Sequence, residues 1–143
     1  MRYCLGVIFL IFANAAMAWD EPARGTFDRA GLMDALRPHA EWMLGAPVEF
    51  VVHDLRRAGN VGFASVSAQR PGGGQIDISR TPGAARGQLD TEFMDGSTLQ
   101  ALYLKSGDTW VAVHWAIGAT DVWYADPALC PEYHTVIPEI CGY

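Results

Sequence analysis

Residues 99–117, LQALYLKSGDTWVAVHWAI, carry the clearest structural pattern of the chain. Two runs with apolar side chains at every second position, 99–105 and 109–117, flank the turn Ser106-Gly107-Asp108. Alternation with a period of two on both sides of a glycine-containing turn is typical of a β-hairpin. We expect the core face of the second strand to consist of Val111, Val113, Trp115 and Ile117, and the opposite face of Trp110, Ala112, His114 and Ala116.

A second hairpin is predicted upstream of this one. Val48, Phe50 and Val52 alternate with Glu49, Val51 and His53, and another alternating run follows over residues 61–68. The dipeptide Gly59-Asn60 lies between the two runs and is a favoured hairpin turn. Four antiparallel strands are therefore expected.

One amphipathic helix precedes the strands. Thr26 can cap a helix that Gly45 ends, and its apolar residues recur at steps of three and four. Those residues are Phe27, Ala30, Met33, Leu36, Ala40, Met43 and Leu44. Because proline clashes with the preceding turn, Pro38 predicts a kink or a division into helices 27–36 and 38–44.

The connection between the hairpins, residues 69–95, is rich in glycine and proline. Loops of this length in compact domains are uncommon, and they are either functional or mobile. The Gly72-Gly73-Gly74 run precedes no helix, so it lacks the setting of a phosphate-binding loop and is interpreted as a turn or hinge.

A helix that packs on an antiparallel sheet buries both apolar stripes, so the fold class predicted is α+β. The element order is similar to that of cystatin-like folds, including the cone-shaped nuclear-transport-factor-like group. This resemblance concerns topology alone and carries no function.

The first 18 residues have the pattern of a secretory signal peptide. A positive start, an apolar run and the small residues of Ala16-Met17-Ala18 predict cleavage after Ala18, which leaves residues 19–143 as one domain. The alternative is an uncleaved membrane anchor, but the apolar run of about a dozen residues is shorter than the roughly 20 that span a bilayer. The location predicted is therefore periplasmic or secreted, with no membrane span after cleavage.

Two cysteines remain after cleavage, Cys130 and Cys141. In an exported chain such a pair favours a disulfide, which would hold the carboxyl-terminal tail. Asp126-Pro127 matches a helix cap followed by proline at the first helical position, so a short helix is expected to carry Cys130. A rival interpretation is a zinc site formed with His134, although no fourth ligand is evident.

Composition and sequence motifs argue against several classes of function. Ten Lys and Arg face sixteen Asp and Glu, a net charge of −6, which disfavours nucleic acid and anionic lipid surfaces as partners. The chain has no Gly-x-Ser-x-Gly and no Ser-x-x-Lys sequence. The four histidines have no metal-ligand spacing, so we predict no metal and no cofactor.

The best candidate site lies on the predicted outer sheet face. Trp110 and His114 share that face, and Tyr103 of the neighbouring strand is within cross-strand reach. Asp121 follows the strand and could orient His114 as an acid–base pair. The alternative is that Asp121 caps the turn at 122–124 while His114 is a half-exposed surface residue.

Four stretches, LGAPVEFVV (44–52), QRPGG (69–73), WVAV (110–113) and IGATDVW (117–123), together resemble a group of small exported bacterial proteins of unassigned function. The resemblance covers most of residues 27–123 and implies no activity. We expect a non-catalytic cell-envelope protein that binds a protein or small molecule through the long loop and the outer sheet face. The alternative is a small enzyme or ligand binder with the His114/Asp121 pair in a cone-shaped sheet.

Overall fold

The computed structural model describes residues 18–142, so the predicted signal peptide lies outside the described residues except for Ala18. One helix, α1 (Phe27–Leu44), packs against a four-stranded antiparallel sheet, which confirms the α+β prediction. The strands lie side by side in chain order. They are β1 (Glu49–Ala58), β2 (Val61–Gln69), β3 (Thr98–Ser106) and β4 (Thr109–Ile117).

Helix α1 begins and ends where the sequence predicts, but it is not divided. The Thr26 side chain accepts a hydrogen bond from the Arg29 amide, and Gly45 ends the helix with a φ of 80°. Helical structure continues through Pro38, so the predicted split is wrong. Leu36 and Ala40, on either side of the proline, are both fully buried against the sheet. Burial of one continuous apolar stripe offsets the hydrogen bond that proline cannot donate.

The predicted faces of β4 are wrong in the first half of the strand. Val111 and Val113 are 44% and 43% exposed, whereas Trp110 and Ala112 are buried on the α1 side. The cause is a β-bulge: the pairing register passes from Leu102↔His114 to Tyr103↔Ala112 and leaves Val113 without a partner. One extra residue reverses the alternation of side chains along a strand. Beyond the bulge, Trp115 and Ile117 contact the core as predicted.

The central part of the other face of the sheet is covered by the carboxyl-terminal tail, residues 123–142. The tail contains α3 (Cys130–Tyr133) and α4 (Pro138–Cys141), which the predicted disulfide between Cys130 and Cys141 joins. Because the two sulfur atoms are bonded to each other, the zinc interpretation is wrong. Five buried side chains form this second apolar cluster: Phe63, Leu102, Tyr133, Val136 and Ile137. The predicted cap is present, since Asp126 Oδ1 accepts a hydrogen bond from the Ala128 amide at 2.9 Å.

The connection between β2 and β3 closes one end of the helix side of the core. It contains the short helix α2 (Pro82–Ala85), which packs against α1. A Cβ atom at Gly83 would lie 2.6 Å from the Met43 carbonyl oxygen, so only glycine permits this approach. Leu89 is buried in the same core. The segment is therefore a packed part of the domain and does not stand free of it.

Candidate ligand-binding groove

The four residues predicted as a site lie on different sides of the sheet. Tyr103 and Trp110 are buried on the α1 side. His114 belongs to the other face, where its ring packs edge-on against Tyr133 at 5.9 Å. Asp121 is exposed after the end of β4. Among residues 18–142 no hydrogen bond or ion pair joins Asp121 to His114, so the predicted acid–base pair is not assembled in this structure.

Both aromatic residues of the predicted site belong to the core. Tyr103 is fully buried, its hydroxyl has no hydrogen-bond partner within the described part of the chain, and burial raises its pKa well above the usual range. The indole of Trp110 donates from Nε1 to Asp28 Oδ1 at 2.8 Å. Neither side chain is free to meet a ligand in this arrangement.

Asp28, in the first turn of α1, is the centre of a charged cluster on the helix side. Its carboxylate accepts hydrogen bonds from Lys105 Nζ at 2.8 Å, from Trp110 and from Arg57. The Lys105 bond, followed by the Trp110 bond, lowers the pKa of Asp28 well below its usual range, although partial burial acts in the opposite direction. Since the three donors belong to β3, β4 and β1, the cluster fastens α1 to the sheet.

A second contact missed by sequence reasoning joins His53 and Ser67 across β1 and β2. His53 Nε2 and Ser67 Oγ are 2.6 Å apart, a distance typical of a hydroxyl beside its base. The neighbouring Asp54 carboxylate is engaged by Arg56 in a bidentate pair. Because Asp54 is held in this way and the His53–Ser67 pair is exposed, we interpret the pair as a cross-strand surface contact.

Helix α1 lies close to β4 and leaves an opening beside β1. A Cβ at Gly31 would meet Trp110 Cδ1 at 2.9 Å, so glycine permits the close approach at this end. Nearer the other end of α1, His39 stacks on Trp115 with ring centroids 4.9 Å apart. The helix is thus drawn towards one edge of the sheet. On the opposite side a groove of about 580 Å³ opens between α1 and β1.

We call this opening the arginine groove, because three of its lining residues are Arg24, Arg29 and Arg37. Apolar side chains of α1 and β1 also line it. They belong to Ala30, Met33, Phe50 and Val52, and Val51 is a further lining residue. Concave sites of 300–1,000 Å³ with apolar walls and a few convergent polar groups are typical of ligand pockets.

Two of the three guanidinium groups are held in place by the protein. Arg29 Nη1 donates to the Pro22 carbonyl oxygen at 2.9 Å and contacts Glu21 at 3.3 Å. Arg37 donates to the Val48 carbonyl oxygen and lies over the Phe50 ring, 5.2 Å from its centroid. Arg24 is exposed at the margin of the groove. Groups fixed before a ligand arrives lose little conformational entropy on binding.

The lining residues carry a charge opposite in sign to that of the chain, and Arg29 and Arg37 each also contact a carboxylate outside the lining, Glu21 at 3.3 Å and Asp34 at 3.8 Å. Three of the ten Lys and Arg residues line the groove, together with the single carboxylate of Glu49, in a protein of net charge −6. A signal in the sequence could have identified it: Arg29, Met33 and Arg37 are four residues apart and share one side of α1. The sequence shows the spacing of these three residues, but the open space beside them depends on the lateral position of α1 on the sheet.

Comparisons with protein-family models, with curated proteins and with solved structures found no match. The topological resemblance to cystatin-like folds stays a prediction. No helix within residues 18–142 is long and apolar enough to cross a membrane. In that same range, no group of three or more His, Cys, Asp or Glu side chains is placed to hold a metal ion.

Proposed function

We propose that this chain is an exported, non-catalytic binding module of the cell envelope that holds an anionic ligand in the arginine groove. The observation that carries the proposal is that three arginine residues line one groove of an acidic protein. The proposed binding surface therefore lies between α1 and β1, whereas the sequence favours the long loop and the outer sheet face.

The lining indicates the chemistry of the ligand. Guanidinium groups pair with carboxylates through two parallel hydrogen bonds, and these charge-assisted bonds are stronger than neutral ones. The apolar side chains of Met33, Phe50 and Val52 would contact an apolar body. A ligand that carries carboxylates on an apolar framework satisfies both parts of the groove.

Binding without catalysis is favoured by the same residues. Arginine side chains stay protonated at physiological pH, so they attract and orient an anion but do not transfer protons. The disulfide supports an oxidising compartment, in agreement with the signal peptide predicted from residues 1–18.

The test is a titration of the purified protein with octanoate, monitored by calorimetry and by NMR, and with octylammonium as the probe of opposite charge. Octanoate should perturb Arg24, Met33 and Phe50, and octylammonium should bind at least tenfold more weakly. We expect Arg24→Glu to weaken octanoate binding about tenfold or more, since one charge-assisted hydrogen bond is lost and a repulsion is added.

The matched control is Arg80→Glu, which makes the same charge change at an exposed residue of the β2–β3 connection. It should leave octanoate binding within about twofold of the wild-type value, because screening at physiological ionic strength removes distant effects. Equal losses in the two variants, or equal binding of octanoate and octylammonium, would contradict the proposed function.

A further inference from the structure

Strand β1 is an edge of the sheet, and its outer side is already paired at one end. The Asp20 amide donates to the Arg57 carbonyl oxygen, and the Arg57 amide donates to the Asp20 carbonyl oxygen, both at 2.9 Å. The Asp20 carboxylate also pairs with the Arg57 guanidinium group at 2.7 Å. An acidic residue in extended conformation is therefore held on this edge by backbone and side chain together.

The pairing register shows which backbone groups of β1 remain open further along. Phe50 is opposite Ala68, and Val52 is opposite Val66. The Ala68 amide donates to Ser97, on the side of β2 away from β1. In an antiparallel pair, residues directly opposite each other both point their backbone groups either towards or away from the partner strand. The amide and carbonyl groups of Phe50 and Val52 therefore point outwards, next to the arginine groove.

The distance between Arg29 and Arg37 along α1 is close to the distance between same-face residues of an extended chain. Arg29 and Arg37 are eight residues apart in the helix, a rise of about 12 Å. Residues i and i+4 of a strand are about 13 Å apart and point to the same face. Carboxylates four positions apart in a strand lying along β1 would therefore face the helix at an interval that matches Arg29 and Arg37.

We propose that the ligand is an extended acidic segment of a partner protein, which adds to Phe50 and Val52 as a fifth strand and directs alternate carboxylates towards Arg24, Arg29 and Arg37. This inference rests on the function proposed above and specifies its ligand class. Addition of a strand supplies affinity through main-chain hydrogen bonds, while side-chain pockets supply specificity. Asp20 of the chain itself makes both kinds of contact, because it pairs with Arg57 through its backbone and through its carboxylate.

The probe is the peptide Ac-Val-Asp-Val-Asp-Val-Asp-NH2, with Ac-Val-Lys-Val-Lys-Val-Lys-NH2 as the control of reversed charge. Two further peptides carry N-methyl groups either on all valine amides or on all aspartate amides. Because successive amides of a strand point to opposite edges, only one of these sets can face β1. We expect one N-methylated peptide to bind about tenfold or more weakly, through two or three lost hydrogen bonds, and the other to stay within about threefold of the parent.

Amide hydrogen exchange of the protein gives an independent readout. Addition of the aspartate peptide should slow exchange at Phe50 and Val52, whose amides face outwards, and leave Val51, which faces β2, unchanged. Equal losses with both N-methylated peptides, or no slowing at Phe50 and Val52, would overturn strand addition. If octanoate still binds with the Arg24 dependence described above, the proposed function stands while this inference fails; if the lysine peptide binds as tightly as the aspartate peptide, both fail.

Discussion

The two faces of the sheet are covered by layers of different kinds, and two adjacent residues fasten both of them. Arg57 points to the helix side, where it binds Asp28 at the start of α1. Arg56 points to the tail side, where its Nη1 donates to Glu139 at 2.6 Å and to the Val136 carbonyl oxygen at 3.0 Å. Since successive strand residues alternate between faces, one Arg-Arg pair in the sequence joins the sheet to two separate layers.

The helix layer and the tail layer differ in what else stabilises them. Helix α1 is a regular element whose continuous stripe of apolar side chains is buried in the larger cluster. The tail consists of short helices and turns, and its disulfide joins two cysteines that are 11 residues apart in the sequence. Short helices form only marginally by themselves. We therefore expect the tail layer to depend on covalent and ionic contacts more than the helix layer does.

The largest expected effect comes from removal of the disulfide. The double substitution Cys130→Ser and Cys141→Ser should lower the free energy of unfolding by about 3 kcal/mol, because the unfolded chain gains loop entropy. Urea denaturation measures this loss, and dithiothreitol should reproduce it in the wild type but not in the variant. Amide exchange should quicken first in α3 and α4; equal early loss of protection in α1 would contradict the contrast between the layers.

Arg56→Met should have the next largest effect, a loss of about 2–3 kcal/mol. Methionine keeps an apolar stem beside Trp19, but Asp54, Glu139 and the Val136 carbonyl lose a charged donor that is largely buried. Thermal and urea unfolding at pH 7 measure the change.

Arg57→Met is the comparison variant on the helix side. In it the Asp28 carboxylate keeps its hydrogen bonds from Lys105 and Trp110. The losses of unfolding free energy caused by Arg56→Met and by the cysteine substitutions should not be additive, since both changes loosen the tail. The loss caused by Arg57→Met should add to that of the cysteine substitutions within about 0.5 kcal/mol. Additive behaviour in both combinations would mean that Arg56 does not act through the tail.

The corresponding contact of the helix layer predicts a pH dependence. Asp28→Asn should cost about 1–2 kcal/mol at pH 7, because the acceptor keeps its shape but loses its charge. The pKa of Asp28 is lowered in the folded protein, so its stabilisation is complete above about pH 5 and declines as the pH falls below the unfolded value near 4. Urea denaturation from pH 7 to pH 2 should therefore show a shallower acid decline for Asp28→Asn than for the wild type, and parallel declines would contradict the assigned role.

The helix layer could be predicted from the sequence far more completely than the tail layer. A period of 3.6 in α1, bounded by Thr26 and Gly45, and a period of two in the strands give the fold class and the pairing of strands within each hairpin. The tail has no such period, because its contacts are made by single turns that the disulfide and Arg56 hold together. The sequence predicts the disulfide but not which face of the sheet the tail covers.

The structure separates the predicted site residues, and it opens a groove that the sequence does not predict, for two physical reasons. The bulge at Val113 reverses the faces of β4, and a single inserted residue leaves no periodic signal to detect. The arginine groove depends on the lateral position of α1, which is set by tertiary contacts such as Gly31 with Trp110. Arg29 and Arg37 could be placed on one side of the helix from spacing alone, but the strand beside them could not.

The smallest expected effect concerns Tyr103, in the core beneath α1. Its hydroxyl is buried without a hydrogen-bond partner among the described residues, so Tyr103→Phe should raise the free energy of unfolding by up to about 1 kcal/mol by removing an unpaired polar group. Urea denaturation measures the difference, and Leu102→Ala serves as a control that opens a cavity on the tail side and should cost about 2–5 kcal/mol. If Tyr103→Phe is instead destabilising by more than 1 kcal/mol, the hydroxyl has a bonding partner, and the helix layer encloses a polar contact that its apolar periodicity does not indicate.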